Sequence, residues 1–260
     1  MSALRVTLAQ QALLWGDPQG NRRHFGSLLR ELAGRTDLVV LPETFTTGFS
    51  MEVERLAEPP DGPSVQWLRE QAAALDAAIA GSVITQDRGR YFNRLLWVTP
   101  DGQVRHYDKR HLFRMAGEHQ HFTPGQSAWS IPWRGLRVCP LVCYDLRFPV
   151  YSRRRAELDY ELLIYVANWP APRAEAWRAL LPARAIENQA YVVGVNRVGT
   201  DGKGIAYAGD SVAHDFRGQA LAQAGGAAGV ITVEIAAEPL QAFREKFPAH
   251  LDADRFHLDL

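Results

Sequence analysis

The stretch Gly135-Leu-Arg-Val-Cys-Pro-Leu-Val-Cys-Tyr-Asp145 has the apolar density of a buried β-strand that ends in a polar turn. It contains the only two cysteines of the chain, Cys139 and Cys143. If the segment is extended, with about 3.3 Å per residue, the two cysteines lie about 13 Å apart, well beyond the roughly 7 Å between Cα atoms that a disulfide can bridge. We therefore expect two free thiols, one within the strand and one at its end.

Apolar runs typical of strands alternate with amphipathic stretches typical of helices on both sides of this segment. The predicted strands are Arg5–Gln10, Leu38–Pro42, Ala78–Val83, Tyr91–Thr99, Val104–Tyr107, Arg137–Val142, Leu162–Ala167, Tyr191–Asn196, Tyr207–His214 and Gly229–Ile235. The predicted helices are Gln19–Ala33, Ser64–Leu75, a segment near Pro149–Glu157, and Ala174–Asn188. The turn Pro100-Asp-Gly indicates a hairpin. The alternation predicts an α/β fold in which helices cover β-sheets.

The composition favours one large domain over residues 1–260. Hydrophobic residues make up 47% of the chain, which suffices for a large core, and no linker-like stretch interrupts it. The 29 basic and 29 acidic residues balance, so no net field attracts nucleic acid or an anionic membrane, and neither is expected as a partner. The N-terminus alternates like a strand and lacks the layout of a signal peptide. We expect a cytoplasmic protein.

The C-terminal tail, about residues 239–260, differs from the rest of the chain. Large apolar residues recur in an otherwise charged segment that has no obvious core of its own to enter: Phe243, Phe247, Leu251, Phe256 and Leu258. We expect this tail to pack on a partner subunit.

Three ionisable residues, Glu43, Lys109 and Cys143, each follow an apolar strand. In open α/β folds the active site lies at the carboxyl ends of strands, where side chains emerge into a crevice. A cysteine at a strand-to-helix turn can have a lowered pKa, owing to the positive helix end and a nearby cation, and a carboxyl group after a buried strand suits a general base. Each residue alone has a plain alternative: a core cysteine, a loop or ion-pair glutamate, a polar-turn lysine. Cys139 lacks the turn and is expected in the core.

Three histidines, His111, His119 and His121, raise the question of a metal site, because His-x-His is a known ligand spacing. Their loop offers no cysteine or aspartate and only Glu118 as a carboxylate. We expect hydrogen-bonded structural histidines and no metal. Gly-x-Ser-x-Gly and Walker-type patterns are absent from the sequence, so a serine hydrolase or a P-loop protein has no support.

Several segments together resemble the nitrilase (carbon–nitrogen hydrolase) superfamily. They are Leu41-Pro-Glu-Thr-Phe, Tyr107-Asp-Lys-Arg-His-Leu-Phe, Leu141-Val-Cys-Tyr-Asp-Leu-Arg-Phe-Pro, Val166-Ala-Asn-Trp-Pro, Arg184-Ala-Ile-Glu-Asn-Gln and Asn196-Arg-Val-Gly. The resemblance covers nearly the whole chain. The loop Phe113-Arg-Met-Ala-Gly-Glu-His and the tail segment Phe247-Pro-Ala-His-Leu-Asp-Ala-Asp-Arg-Phe are similar to the omega-amidase branch.

The resemblance implies a four-layer α-β-β-α sandwich, homodimers or larger oligomers, and no metal or organic cofactor. It also implies a catalytic trio in which Cys143 is the nucleophile, Glu43 the general base, and Lys109 holds the oxyanion with the backbone N–H of Tyr144. The expected activity is that of a thiol-dependent amidase. It would hydrolyse the omega-amide of 2-oxoglutaramate or 2-oxosuccinamate to the acid and ammonia through a cysteine thioester.

Further residues enter through the same resemblance. Glu118 matches a second glutamate that orients the lysine and the substrate, and Arg147 is a candidate for a substrate carboxylate or a structural ion pair. The other expected pocket residues are Phe49, Asn168 and Trp169.

Two alternatives remain at this stage. The same trio supports hydrolysis of N-carbamoyl compounds, aliphatic amides or nitriles. The trio could also persist as structure in a non-catalytic assembly or binding module.

Overall fold

The apolar runs of the chain form two six-stranded sheets in a computed structural model that describes residues 3–258. In chain order the strands are β1 (Leu4–Gln10), β2 (Leu38–Val40), β3 (Ala78–Asp87), β4 (Arg90–Val98), β5 (Val104–Asp108), β6 (Ile131–Trp133), β7 (Leu136–Val142), β8 (Leu162–Ala167), β9 (Tyr191–Asn196), β10 (Val198–Thr200), β11 (Ala206–Ala208), β12 (Val212–His214), β13 (Ala220–Gln223) and β14 (Gly229–Ile235). The ends of the predicted domain, Met1, Ser2, Asp259 and Leu260, lie outside the described residues.

The helices connect these strands and cover the sheets. They are α1 (Pro18–Arg30), α2 (Val53–Leu56), α3 (Pro63–Leu75), α4 (Glu118–His121), α5 (Pro149–Ser152), α6 (Ala174–Asn188) and α7 (Ala237–Lys246). Short 3₁₀ turns span Arg114–Ala116, Cys143–Arg147, Ala171–Arg173 and Ala249–Asp252. Within residues 3–258, no helix is both long enough and apolar enough to cross a membrane.

Both sheets are mixed and have a parallel centre. The first has the order β14-β1-β2-β3-β4-β5, and the second β13-β12-β9-β8-β7-β6. β1, β2 and β3 are parallel, as are β7, β8 and β9, whereas the outer strands pair antiparallel. β10 and β11 form a separate hairpin. The predicted hairpin of β4 and β5 is confirmed.

Alternation along the strands explains why the molecule has four layers. Leu4 and Val6 of β1 pack between the two sheets with Leu141 of β7. The opposite face of the first sheet packs on α1 and α3. Trp177 of α6 packs against the second sheet. At Gly194 of β9 a Cβ atom would lie 2.7 Å from the Trp177 ring, so this close contact between helix and sheet requires glycine. The predicted α-β-β-α arrangement is confirmed.

Several predicted elements differ from the structure at their ends, and two differ most. The strand predicted over Tyr207–His214 is broken into β11 and β12 by Gly209 and Asp210, which have positive φ values of 72° and 56°. Two successive left-handed residues turn the chain out of the strand direction. The helix predicted near Pro149–Glu157 stops after Ser152, because Arg153 has an extended ψ of 127°.

The tail is partly integrated into its own chain. Leu240 of α7 is fully buried and belongs to the core that also contains Leu141 and Trp177. Phe243 packs against the same core. The expectation that this segment has no core to enter is therefore wrong for α7. Beyond α7, Phe247 and Leu251 are 59% and 75% exposed. Packing of the tail on a partner stays a prediction.

The strand directions bring several strand ends together. β2 and β5 point the same way in the first sheet, because β5 is antiparallel to β4 and β4 to β3. In the second sheet, β7 and β8 are parallel. A hydrogen bond from the backbone N–H of Asn168, after β8, to the Glu43 carboxylate, after β2, joins the two sets of ends. The site lies where these ends meet.

Candidate active site

Glu43, Lys109 and Cys143 meet in one buried cluster. Lys109 Nζ donates to Glu43 Oε1 at 2.9 Å, and the Glu43 carboxylate also lies beside the thiol of Cys143. Glu43 and Lys109 are almost completely buried, while Cys143 retains 8% exposure. The structure thus assembles three residues that lie up to a hundred positions apart in the chain.

Glu118 is the fourth charged member of this cluster. It is the first residue of α4, and both of its carboxylate oxygens lie 3.0 Å from Lys109 Nζ. The backbone N–H of Phe113 donates to Glu118 Oε2, which ties the carboxylate to its own loop. Lys109 is therefore held between two buried carboxylates.

These neighbours set the ionisation of the lysine. Burial alone would lower the pKa of Lys109, but the carboxylates of Glu118 and Glu43 outweigh it and raise the pKa. Burial also raises the pKa of Glu118, an effect that the Lys109 ammonium opposes and the Glu43 carboxylate reinforces. The result is an ammonium group that stays charged inside the protein and can stabilise a developing negative charge.

Cys143 stands at a sharp elbow between β7 and the 3₁₀ turn that follows. Its φ of +43° is in the left-handed region, which is rare for a side chain larger than glycine. Such strain at a strand-to-helix turn is typical of functional positions. The prediction of a lowered thiol pKa is wrong: burial and the adjacent Glu43 carboxylate raise the pKa of Cys143, and Lys109 offsets this only in part. The resting thiol is protonated, with a proton acceptor beside it.

Asn93 and Asn168 complete the surroundings of Glu43. Asn93 Nδ2, from β4, donates to Glu43 Oε1 at 2.8 Å and to Glu118 Oε1 at 3.3 Å. Asn168 donates its backbone N–H to Glu43 Oε2 at 2.8 Å and its Nδ2 to the Glu43 backbone oxygen at 2.6 Å. Sequence reasoning missed Asn93. The available signal was a polar pair, Asn93 and Arg94, between the aromatic residues Tyr91 and Phe92 and the apolar run Leu95–Val98.

A cleft of about 220 Å³ opens onto this cluster. Glu118 contacts Lys109 but does not line the cleft. All the other site residues predicted from the sequence line it: Glu43, Phe49, Lys109, Cys143, Tyr144, Arg147, Asn168 and Trp169. The Phe49 ring lies 5.0 Å from Lys109 Nζ. The remaining wall, which the sequence did not indicate, includes Phe113, Met115, Arg173, Asp201, Lys203, Ile205 and Tyr207.

Three cations line this cleft without an ion-pair partner among residues 3–258. The guanidinium of Arg147 lies 5.0 Å above the Trp169 ring, and that of Arg173 lies 5.2 Å from the Phe113 ring. Lys203 is exposed at the end of the β10–β11 hairpin. The carboxylate of Asp201 in the same wall is occupied by the backbone N–H groups of Lys203 and Ile205 and by the Tyr207 hydroxyl. The open cleft therefore favours an anionic ligand.

The three histidines of the loop do not come together. His111 Nδ1 is 2.8 Å from Asp145 Oδ1, and its ring stacks on Phe148 at 3.7 Å, so His111 is a hydrogen-bonded structural residue as predicted. His119 and His121 are exposed. Across the part of the chain that the structure describes, no three His, Cys, Asp or Glu side chains form a group suited to a metal ion.

Comparison with known proteins gives concordant matches. The family model for carbon–nitrogen hydrolases matches residues 5–245. The chain is 52% identical to an omega-amidase, YafV, of Yersinia enterocolitica, over 99% of this chain and 100% of that one. It is 32% identical to a 2-oxoglutaramate amidase of Bacillus subtilis, over 95% and 96% of the two chains. A crystal structure of XC1258 from Xanthomonas campestris, a CN-hydrolase superfamily protein with an arsenic adduct in its active site, superposes with a TM-score of 0.97 at 51% identity, covering 99% of this chain and 100% of that one.

Proposed function

The chain belongs to the carbon–nitrogen hydrolase family, and from this premise we propose that it is an omega-amidase that hydrolyses 2-oxoglutaramate or 2-oxosuccinamate to the 2-oxo dicarboxylic acid and ammonia. The observation that carries the proposal is the buried Glu43–Lys109–Cys143 cluster at the base of a cleft that Arg147, Arg173 and Lys203 line. The omega-amidase and 2-oxoglutaramate amidase among its relatives support the choice of substrate.

The first half of the reaction forms a thioester. Glu43 accepts the thiol proton as Cys143 Sγ attacks the amide carbon, so the protonated resting thiol is no obstacle. The amide oxygen becomes an oxyanion, which the Lys109 ammonium and the backbone N–H of Tyr144 stabilise. The first N–H groups of a helical turn have no partner within it, and one such donor is typically worth about 3 kcal/mol to a transition state. Glu43 then passes the proton to the nitrogen, and ammonia leaves.

The second half returns the free enzyme. Glu43 takes a proton from a water molecule that attacks the thioester carbon, and the same two donors hold the second oxyanion. Collapse of this intermediate breaks the carbon–sulfur bond, and Glu43 returns its proton to the thiolate. The product is a dicarboxylic acid, which carries one more negative charge than the substrate.

The cationic wall supports an acid amide over a neutral one. Arg147, Arg173 and Lys203 offer charged donors for the carboxylate at the far end of the substrate, and guanidinium groups bind carboxylates with two parallel hydrogen bonds. The proposed orientation directs the amide inward to Cys143 and the carboxylate outward. Aliphatic amides and nitriles without an acid group cannot use these donors.

We also propose that the protein acts as a homo-oligomer, with the exposed Phe247 and Leu251 of the tail contacting a partner subunit. A cytoplasmic location stays a prediction.

A panel of substrates tests the activity. Purified enzyme with reduced Cys143 is assayed for ammonia release from 2-oxoglutaramate, 2-oxosuccinamate, glutamine, asparagine and propionamide, and for nitrile and N-carbamoyl hydrolysis. We expect the two oxo-acid amides to show the highest kcat/KM. Preference for a neutral amide, a nitrile or a carbamoyl compound would replace the proposed substrate class, and no turnover of any of them would overturn the amidase assignment.

A further inference from the structure

We propose that Asp145 is a positioning residue of the reaction: its buried carboxylate links the segment that carries Lys109 to the elbow that carries Cys143, and so sets the geometry of the nucleophile. The proposal deepens the proposed function and rests on it. Asp145 stands two residues after Cys143 and has no exposed surface.

The two carboxylate oxygens of Asp145 accept four hydrogen bonds. Oδ2 accepts from the Tyr107 hydroxyl at 2.7 Å and from the backbone N–H of Val142 at 3.0 Å. Oδ1 accepts from the backbone N–H of His111 at 3.0 Å and from its ring Nδ1 at 2.8 Å. All four bonds lie within the strand-end region of the site.

The donors fall on two sides of the reaction centre. Tyr107 and His111 flank Lys109 at two residues on either side, and the Tyr107 hydroxyl also accepts from the backbone N–H of Arg110, the residue that follows the lysine. Val142 immediately precedes Cys143. One carboxylate therefore connects Tyr107 and His111, on either side of the lysine, with the strand end that leads into the strained elbow.

The link is stiff on the lysine side as well. The backbone N–H of Lys109 donates to the backbone oxygen of Asn93 at 2.9 Å, and the backbone oxygen of Lys109 accepts from the backbone N–H of Gly125 at 3.0 Å. The backbone of Lys109 is thus fixed by its own strand pairing. Without the Asp145 carboxylate, the elbow would lose its side-chain hydrogen bonds to this fixed segment, while the cleft-lining cations would be untouched.

The test is Asp145→Asn, which keeps the shape but replaces one acceptor oxygen by a donor. The matched control is Asp37→Asn. Asp37 is also nearly buried and accepts from Arg5 and Arg134, but it precedes β2, at the opposite end of that strand from Glu43. Tyr107→Phe, which removes a single donor, serves if Asp145→Asn fails to fold.

We expect Asp145→Asn to lower kcat for the oxo-acid amide by roughly a hundredfold, the loss typical of a small misplacement of reacting groups, with KM changed less than about threefold. Tyr107→Phe lowers kcat in the same direction by a smaller factor. Asp37→Asn lowers the stability but leaves kcat unchanged. A kcat loss in Asp145→Asn no larger than in Asp37→Asn, or a rise in KM alone, would overturn the proposal.

A second readout separates this proposal from the amidase assignment. The rate of Cys143 alkylation by iodoacetamide, followed by mass spectrometry, needs no substrate. Removing a buried negative charge favours the thiolate and by electrostatics alone would speed alkylation. Loss of alignment instead takes the proton acceptor Glu43 away from the protonated thiol and slows its reaction. We expect slower alkylation in Asp145→Asn. Faster alkylation would contradict positioning even in an active enzyme, and absence of ammonia release by the wild type would contradict only the proposed function.

Discussion

Glu43 is the residue on which the hydrogen bonds of the site converge. Its Oε1 accepts from Lys109 and Asn93, and its Oε2 accepts from the backbone N–H of Asn168. Donors from three different strands or strand ends therefore hold one carboxylate beside the thiol. In the proposed mechanism, a base fixed in this way takes the thiol proton and delivers it to the leaving nitrogen without rearrangement.

At the scale of single residues, Glu118 tests how far the lysine depends on its second carboxylate. Glu118→Gln keeps the side-chain shape and removes one of the two negative charges beside Lys109. We expect kcat to fall by about a hundredfold, because the lysine loses its fixed orientation, and KM to change little, because Glu118 does not line the cleft. Steady-state ammonia release measures both. Glu54→Gln, at an exposed position of α2, is the control, and an equal kcat in both variants would refute a role for Glu118.

The thiol of Cys143 gives a pH prediction with a definite sign. Burial and the Glu43 carboxylate raise its pKa, so the thiolate population of the resting enzyme keeps increasing above pH 8.5, where an ordinary thiol is already half ionised. The alkylation rate of Cys143 should rise across pH 7–10 without a plateau, while that of the unfolded protein levels off. A plateau below pH 8 would show that the resting residue is instead a low-pKa thiolate.

At the scale of elements, the site depends on where strands end. β5, β7 and β8 stop immediately before Lys109, Cys143 and Asn168, and β2 ends at Val40, three positions before Glu43. The end of β11 also shapes the site. The left-handed residues Gly209 and Asp210 separate β11 from β12, and Tyr207 of β11 lies in the cleft wall. A Cβ at Gly209 would lie 2.5 Å from Gln10 Nε2, which itself donates to the backbone oxygens of Gly225 and Ala227.

Gly209→Ala should therefore lower the free energy of unfolding by about 1–3 kcal/mol, through both the positive φ and the crowding of Gln10. Urea unfolding measures the loss. Gly34→Ala separates the two causes, because Gly34 has a similar φ of +70° and, apart from its chain neighbours, no described residue lies within 4 Å of its added Cβ. Equal losses in the two variants would mean that contact with Gln10 contributes nothing.

Periodicity predicted the observed bounds of β8, β9, β14 and α6, of which β8 and β9 are buried along their whole length. β8 and β9 match their predicted bounds, because every residue in them is apolar or small up to the polar strand end. The break at Gly209 was missed, since a glycine and an aspartate also occur in ordinary strand ends. The thiol pKa was predicted in the wrong direction, because the sequence does not show that Glu43 lies against Cys143 or that the elbow is buried. Asn93 was missed because its hydrogen-bond partners, Glu43 and Glu118, lie far from it in the chain, and the sequence around Asn93 does not indicate them.

At the scale of the whole molecule, the two sheets enclose one core, and Phe247 and Leu251 after α7 lie at the surface. α7 contributes Leu240 to that core, whereas the stretch after it presents large apolar side chains to solvent. Exposed apolar side chains of this size are often covered in an assembly.

The proposed oligomer gives a prediction for this surface. The wild type should sediment as a dimer or larger species, and the double variant Phe247→Asp/Leu251→Asp should shift it toward the monomer, because buried aspartates at an interface are costly. Leu14→Asp, at another exposed apolar position, should not change the sedimentation coefficient. A monomeric wild type, or a double variant that sediments like the wild type, would rule out the tail as the contact.

Ammonia release from 2-oxoglutaramate by the wild type, Cys143→Ala and Cys139→Ala tests the central claim most directly. Both cysteines are buried, but only Cys143 contacts Glu43 and the cleft. We expect the wild type and Cys139→Ala to release ammonia together with an equal amount of the 2-oxo acid, and folded Cys143→Ala to release none above the uncatalysed rate. Turnover by Cys143→Ala, or none by the wild type, would contradict hydrolysis through a thioester at Cys143.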